Sequence, residues 1–185
     1  NYMAFFKSAT DAKWGEFDAG EPNLVAMPNF HVAGTNMGLN TLAQGSFGVV
    51  MKTVTPDGVF DMIEKYRVQN MFLVPAVILM LVQHPRIKTT DISCVKRMFY
   101  GASPITEELL KTAQTIFKTC GFFQLYGLTE TVGAGTALQP QDHRDALLRS
   151  CGKPSSAIVH MTFWTLTEGF LPQTFSKPCS SKRNQ

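Results

Sequence analysis

The sequence predicts an α/β fold: a largely parallel sheet with helices on both faces. Three observations carry this. Apolar runs of five to eight residues alternate with stretches of helical spacing. The runs are apolar almost throughout, as strands covered on both faces are, rather than alternating with polar residues. Apolar residues make up 44% of the 185, enough for a real core and against global disorder.

The elements follow in order. "NLVAMP" (23–28) reads as a buried strand stopped by Pro28. "GTNMGLNTLAQG" follows with Met37, Leu39, Leu42 and Ala43 near helical spacing, and "FGVVMK" (47–52) is a second strand. In "TPDGVFDMIEKYRV", Thr55 is an N-cap, Pro56 fits the first turn and Asp57 suits the helix dipole. Val59, Met62, Ile63 and Tyr66 fall on one face of that helix. "NMFLV" (70–74) is a third strand, and "PAVILMLVQH" (75–84) a buried helix ended by Pro85. "CVKRMFYG" (94–101) is a fourth strand. "SPITEELLKTAQTIF" (103–117) is a helix capped by Ser103, opened by Pro104, with Glu107 and Glu108 in its early turns. "GFFQLYG" (121–127) is a fifth strand.

Bulk properties exclude several classes. A net charge of +3, scattered apart from the terminal "KPCSSKRNQ", argues against a nucleic-acid partner. Cys94, Cys120, Cys151 and Cys179 form no C-x-x-C pair, so zinc-type pairing is absent. They read as reduced thiols of a cytoplasmic protein. The longest apolar run, "MFLVPAVILMLV" (71–82), is shorter than the roughly 20 residues a bilayer span needs and contains Pro75. Peripheral membrane contact stays open, as does oligomeric state. No signal peptide is seen, and the first residue, Asn, suggests an internal piece of a longer protein.

In a parallel α/β sheet, ligands bind beyond the carboxyl ends of strands. Three strand exits therefore matter: "MPNFHVAG", "FYGASP" and "LYGLTET". Glu130 offers a hard oxygen ligand of the kind Mg²⁺ takes, and Thr129 a hydroxyl donor for a phosphate. Tyr126 presents a flat face on which a base could stack, and Gly127 permits close backbone approach. An equally complete account makes Thr129 an N-cap and Glu130 a first-turn acid. Ser103-Pro104 can likewise be a helix start alone, or leave the bare backbone of Gly101 and Ala102 to read a purine edge. His31, between apolar neighbours, is either a hydrogen-bonded core residue or part of a site.

Together these segments resemble the adenylate-forming (AMP-binding) enzymes, specifically the acyl-CoA synthetases or fatty-acid–CoA ligases. "QLYGLTET" is similar to that family's aromatic-Gly-x-Thr-Glu signature, "MFYGASPITEELL" to its Tyr-Gly-Ala segment and "MPNFHVAG" to its Pro-x-Phe-His segment. "LLRSCGKP" (147–154) resembles its Gly-Lys-Pro segment. Any one is weak; four in family order at family-like spacing are specific. The resemblance runs from about the start to Pro154. It implies a partial AMP-binding domain over 1–154 and a divergent, truncated or frame-altered tail over 155–185.

The resemblance implies a chemistry: a carboxylic acid attacks the α-phosphate of ATP, pyrophosphate leaves, and coenzyme A then displaces AMP to form a thioester. By analogy Glu130 holds Mg²⁺ and Thr129 bonds the α-phosphate. Tyr126 stacks on adenine, with Gly127 and Leu128 beside it, while Gly101, Ala102 and Ser103 border the base. His31 stands by the acyl carboxylate. Gly133, Ala134 and Gly135 line the acyl pocket. Fatty acids lead as the acid class. An aryl-acid ligase or a peptide-synthetase adenylation module is the runner-up, and Phe30-His31 favours the CoA ligases over the latter.

The pattern also breaks. The family's Ser/Thr/Gly-rich phosphate loop ending in Pro-Lys is not found; "FFKSATDAKWGEF" is not it. The ribose-binding Tyr-x-Thr-Gly-Asp segment and the catalytic-lysine domain are missing too, and Lys153 belongs to the Gly-Lys-Pro segment. A chain of these residues alone is therefore expected to turn over negligibly. A non-catalytic binding fragment and an unrelated α/β nucleotide binder, such as a methyltransferase, are the remaining alternatives.

Overall fold

In the computed structural model, residues 17–154, 160–163 and 173–176 are described. The central sheet has seven strands in the order β2-β1-β3-β4-β5-β6-β7. These are β1 (Pro22–Val25), β2 (Phe47–Val50), β3 (Asn70–Leu73), β4 (Arg97–Gly101), β5 (Gly121–Leu128), β6 (Gly133–Leu138) and β7 (Lys153–Pro154). The first five run parallel; β6 and β7 are antiparallel. Strands β8 (His160–Phe163) and β9 (Gln173–Ser176) pair with each other in a two-stranded sheet. The tail expected over 155–185 otherwise lies outside the described residues, as do Cys179 and the segment before Phe17.

Successive strand residues point to opposite faces, and both faces are covered. Helices α2 (Pro56–Tyr66), α3 (Pro75–Gln83) and α4 (Glu107–Ile116) pack on one face. Phe60, Ile63, Ile78, Leu81 and Leu110 there meet Leu24, Met71, Met98, Tyr100 and Phe122 of the strands. On the other face α1 (Val32–Ala43) brings Met37 against Val25, Phe99 and Phe123. The register Phe99↔Phe123 sets two of these rings 5.1 Å apart.

Local chemistry explains the helix ends. The Thr55 hydroxyl accepts from the Gly58 N–H at 3.1 Å, and Arg67 closes α2 in the left-handed region with φ 54°. Helix α4 starts later than its sequence suggests. Thr106, not Ser103, is the N-cap, taking the Leu109 N–H at 3.2 Å. Pro104 therefore precedes the helix, and the residues after β4 are left as an irregular strand exit. Strand β4 also begins later, at Arg97 rather than Cys94.

Helix α1 departs most from expectation. Its buried residues are Gly34, Asn36, Met37, Asn40 and Thr41, while Leu39 and Leu42 are exposed. Close packing at its start is the reason: a Cβ on Gly34 would overlap the Pro28 carbonyl, so the face bearing Gly34 turns inward and carries Met37 and the amides with it.

At the amino ends of the strands one carboxylate gathers three elements. Glu21, buried just before β1, pairs with Lys96 at 2.7 Å and Arg97 at 3.1 Å. It also accepts from the Asn70 amide of β3 at 2.9 Å. Asn70 in turn donates to Asn23 at 2.6 Å, and Asn23 to the Thr41 hydroxyl at 3.3 Å. Burial works to raise the Glu21 pKa, but the hydrogen bonds from Lys96, Asn70 and the Asp18 amide, with the nearby Arg97 charge, hold it at about 2. Its folded value lies below its ordinary 4.5, so the stabilisation is complete above that pH and is lost as pH falls toward 2. Glu21→Ala is expected to lower stability by about 3 kcal/mol near neutrality. Urea denaturation should show that gap narrowing below pH 4.5.

Candidate active site

The site lies where the strands end. Gly101 must be glycine: a Cβ there would overlap the Leu125 carbonyl of the paired strand β5. Ala102 follows in the left-handed region at φ 64°, a conformation that costs a non-glycine residue on the order of 1–3 kcal/mol. Strand β5 continues through Tyr126, Gly127 and Leu128, all exposed, with a register shift between Tyr126 and Gly127. Thr129–Thr131 then form one 3-10 turn, and the chain reverses into β6.

Two cavities open against this strand exit. One, about 450 Å³, is lined by Gly101, Ala102 and Ser103 from one side and Tyr126, Gly127 and Leu128 from the other. Leu148, Arg149 and Cys151 close it. The second is lined by apolar side chains, among them Val32, Phe72, Phe99 and Leu125, with Asn36 and Asn40 of α1. Ala102, Leu125 and Gly127 line both cavities, so a single strand-end wall separates them.

Most residues singled out in the sequence thus converge. The Tyr-Gly-Ala and Tyr-Gly-Leu segments face one cavity, and Gly133 lines the other. Gly135 is buried within β6; Ala134 belongs to β6 through its backbone. Thr129 and Glu130 are exposed on the 3-10 turn and line neither of these two cavities. His31 is exposed at the N-cap position of α1, beside the 90%-exposed ring of Phe30, so it is not a core histidine. It immediately precedes Val32 of the apolar cavity.

The turn carrying Glu130 is tied to α1. The Val132 N–H donates to the Thr129 carbonyl at 3.0 Å. Val132 has φ 62°, unusual for a β-branched residue, and its carbonyl accepts from Asn36 Nδ2 at 2.8 Å. Gly133, at φ 106°, has no room for a Cβ against that amide.

Behind the larger cavity lies a pair the sequence does not announce. The buried Tyr100 hydroxyl meets His143 Nε2 at 2.9 Å, and His143 Nδ1 meets the Gln139 carbonyl at 2.8 Å. A carbonyl only accepts, so Nδ1 carries the proton and Nε2 accepts from Tyr100. Burial lowers the His143 pKa and raises that of Tyr100, keeping both neutral. This anchors the segment between β6 and β7 that supplies Leu148, Arg149 and Cys151. The Tyr100–His143 contact joins residues 43 apart, a separation at which no local sequence signal exists. Asn36 left a fainter trace: an amide four residues before Asn40 in the predicted helix, the spacing of one helix face.

No group of three or more His, Cys, Asp or Glu able to hold a metal occurs among the described residues. A lone exposed carboxylate with a neighbouring hydroxyl fits Mg²⁺ only where phosphate oxygens complete the shell. None of the helices among the described residues is long and apolar enough to cross a membrane.

This fold, with sequence segments meeting around paired cavities, is that of the large domain of adenylate-forming enzymes. The profile of the family described as AMP-binding enzyme matches residues 1–161, and the chain belongs to that family. It is 33% identical over 153 residues to a medium/long-chain-fatty-acid–CoA ligase, FadD8, of Mycobacterium tuberculosis, covering 83% of this chain and 26% of that protein. It is 29% identical over 143 residues to a fatty acid–[acyl-carrier-protein] ligase, ScoC, of Streptomyces coeruleorubidus, covering 76% and 27%. Among solved structures, the amide bond synthetase McbA of Marinactinospora thermotolerans superposes with a TM-score of 0.76 at 25% identity, covering 87% of this chain and 31% of that one. The chain thus spans about a quarter of the length of these curated relatives.

Gly101→Ala is expected to cost about 1–3 kcal/mol by forcing β4 from β5. Thermal unfolding followed by circular dichroism checks this, with Gly38→Ala, where a Cβ meets nothing within 4 Å, as the control.

Proposed function

We propose that these residues form part of an acyl-CoA synthetase that activates a carboxylic acid with an apolar body, a fatty acid above all, at the expense of ATP. The shared wall carries the reading. A nucleotide in the larger cavity and an acid in the apolar one would lie on opposite sides of Ala102, Leu125 and Gly127. Their reacting ends would meet at the strand exit, beside His31, Thr129 and Glu130.

In the first step a carboxylate oxygen bonds to the α-phosphorus, the bond from that phosphorus to the pyrophosphate oxygen breaks, and pyrophosphate leaves. In the second, the coenzyme A thiolate bonds to the acyl carbon and AMP departs with the electron pair. Both reactants of the first step are anions, so alignment and charge neutralisation are what the site supplies. Tyr126 stacks on adenine, with Leu128 alongside, and the backbone of Gly101, Ala102 and Ser103 borders its edge. The Thr129 hydroxyl donates to the α-phosphate. Glu130 would hold Mg²⁺, which supplies charge neutralisation on the phosphates when bound. Gly133, Ala134 and Gly135 leave room for the acyl chain, and His31 stands at its carboxylate end.

The reading takes 1–154 as adenylation-domain sequence and 155–185 as a divergent tail. Cys94, Cys120 and Cys151 are free thiols, which supports a cytoplasmic setting. A polypeptide of these 185 residues carries no Pro-Lys phosphate loop and no second-domain lysine, so it is expected to bind an adenylate weakly at best and to turn over negligibly.

Isothermal titration with an acyl-sulfamoyl-adenosine should give magnesium-dependent binding, weakened about tenfold or more by Glu130→Ala. Binding indifferent to magnesium and to Glu130 would sink the metal assignment. Robust ATP–pyrophosphate exchange by the same polypeptide would contradict its expected inactivity.

A further inference from the structure

Arg149 is exposed and lines the larger cavity, the one charged side chain among the described residues that do so. The backbone on either side of it is fixed. Leu148 is buried in the core on the side of α2, α3 and α4. The Ser150 N–H donates to the Leu147 carbonyl at 2.8 Å, and the Thr136 hydroxyl of β6 donates to the Cys151 carbonyl. The Tyr100–His143 bond pins the start of the same segment. The guanidinium itself is left without a partner. Arg67, Arg86 and Arg97 each hold a carboxylate, whereas Arg149 makes no ion pair and no side-chain hydrogen bond among the described residues.

Its level in the site decides what it can meet. Thr136, bonded to the Cys151 carbonyl, is the register partner of Tyr126. Gln124, on the same face of β5 as Tyr126, lines the cavity as well. The closing segment therefore stands beside Tyr126 and not beside the Thr129–Thr131 turn. In the adenylate reading that is the base end of the nucleotide, away from its phosphates. A guanidinium carries N–H donors and no acceptor, and a purine offers ring nitrogens that accept. We propose that Arg149 is a further nucleotide-binding residue, whose guanidinium donates to a ring nitrogen of the base and so reads the purine by its acceptors. The inference rests on the adenylate reading above. It differs from stacking on Tyr126, which any base satisfies because every base has a flat face. Donation discriminates, because a base without the acceptor leaves the guanidinium unmet.

The test is a set of NMR titrations of the full chain with magnesium present, a method that follows weak as well as tight binding. The probes are octanoyl-sulfamoyl-adenosine and its 1-deaza, 3-deaza and 7-deaza analogues, each with one accepting ring nitrogen replaced by C–H. One deaza probe is expected to bind about tenfold more weakly than the parent compound. In Arg149→Met, which keeps a long side chain but has no donor, that gap should close, the parent falling to the level of the weak analogue. Arg149 is exposed, so this variant and Arg149→Ala, which should behave alike, are expected to fold. Equal binding of every probe by the unaltered chain overturns the inference and leaves the adenylate reading standing. A gap that persists in the folded variants overturns the assignment to Arg149. Failure of every probe to bind overturns both.

Discussion

The buried carboxylate of Glu21 holds the amino ends of β1, β3 and β4 in one place. It receives a lysine and an arginine from the start of β4 and an amide from β3, and lies one residue before β1. Parallel strands have no tight turns to set their stagger, so fixed polar contacts between neighbours help define it. With the lower ends held, Leu73 pairs with Tyr100, and Gly101 with Leu125. The end of β4 then lies against Leu125 while β5 runs on to Leu128, which is what lets segments far apart in sequence border one cavity. An ionic cluster of this sort adds less net stability than its contacts suggest, because desolvation offsets the attraction. Its contribution is registry.

Above that base, the two faces of the sheet become two chambers. Met98, Tyr100 and Phe122 belong to the side covered by α2, α3 and α4; Phe99 and Phe123 belong to the side covered by α1. The same alternation runs on within β5, so Tyr126 faces the larger cavity while Leu125 packs toward the α1 side and borders both. The reversal from parallel β5 to antiparallel β6 closes the top. That reversal depends on a left-handed Val132, stabilised by the Asn36 amide, and on a glycine where no side chain fits.

Much of this is legible in the sequence. The five parallel strands announce themselves as apolar runs, and Thr55 caps its helix as its position implies. Strand β6, "GAGTAL", is not legible: four of its six residues are glycine or alanine, and it is a strand because β5 pairs with it. The facing of α1 is misjudged because leucine spacing gives a period but not a direction; the close approach to Pro28 decides it. At the site, glycine-rich strand exits are visible from one chain segment at a time. The Tyr100–His143 pair and the closing residues 148–151 arise only when distant segments meet, and no local pattern encodes them.

The late start of α4 has an electrostatic corollary. A helix beginning at Ser103 would point unsatisfied amides and a partial positive charge into the larger cavity, a natural seat for a phosphate. Here the Thr106 hydroxyl takes one of those amides, and Glu107 and Glu108 add two negative charges in the first turn. This end of the helix is therefore no ready anion seat, although Lys111 pairs with Glu107 at 3.7 Å. Beside Pro104 and Ile105 the cavity therefore meets capped helix backbone, and the charged side chain that lines it is Arg149, on the opposite closing segment.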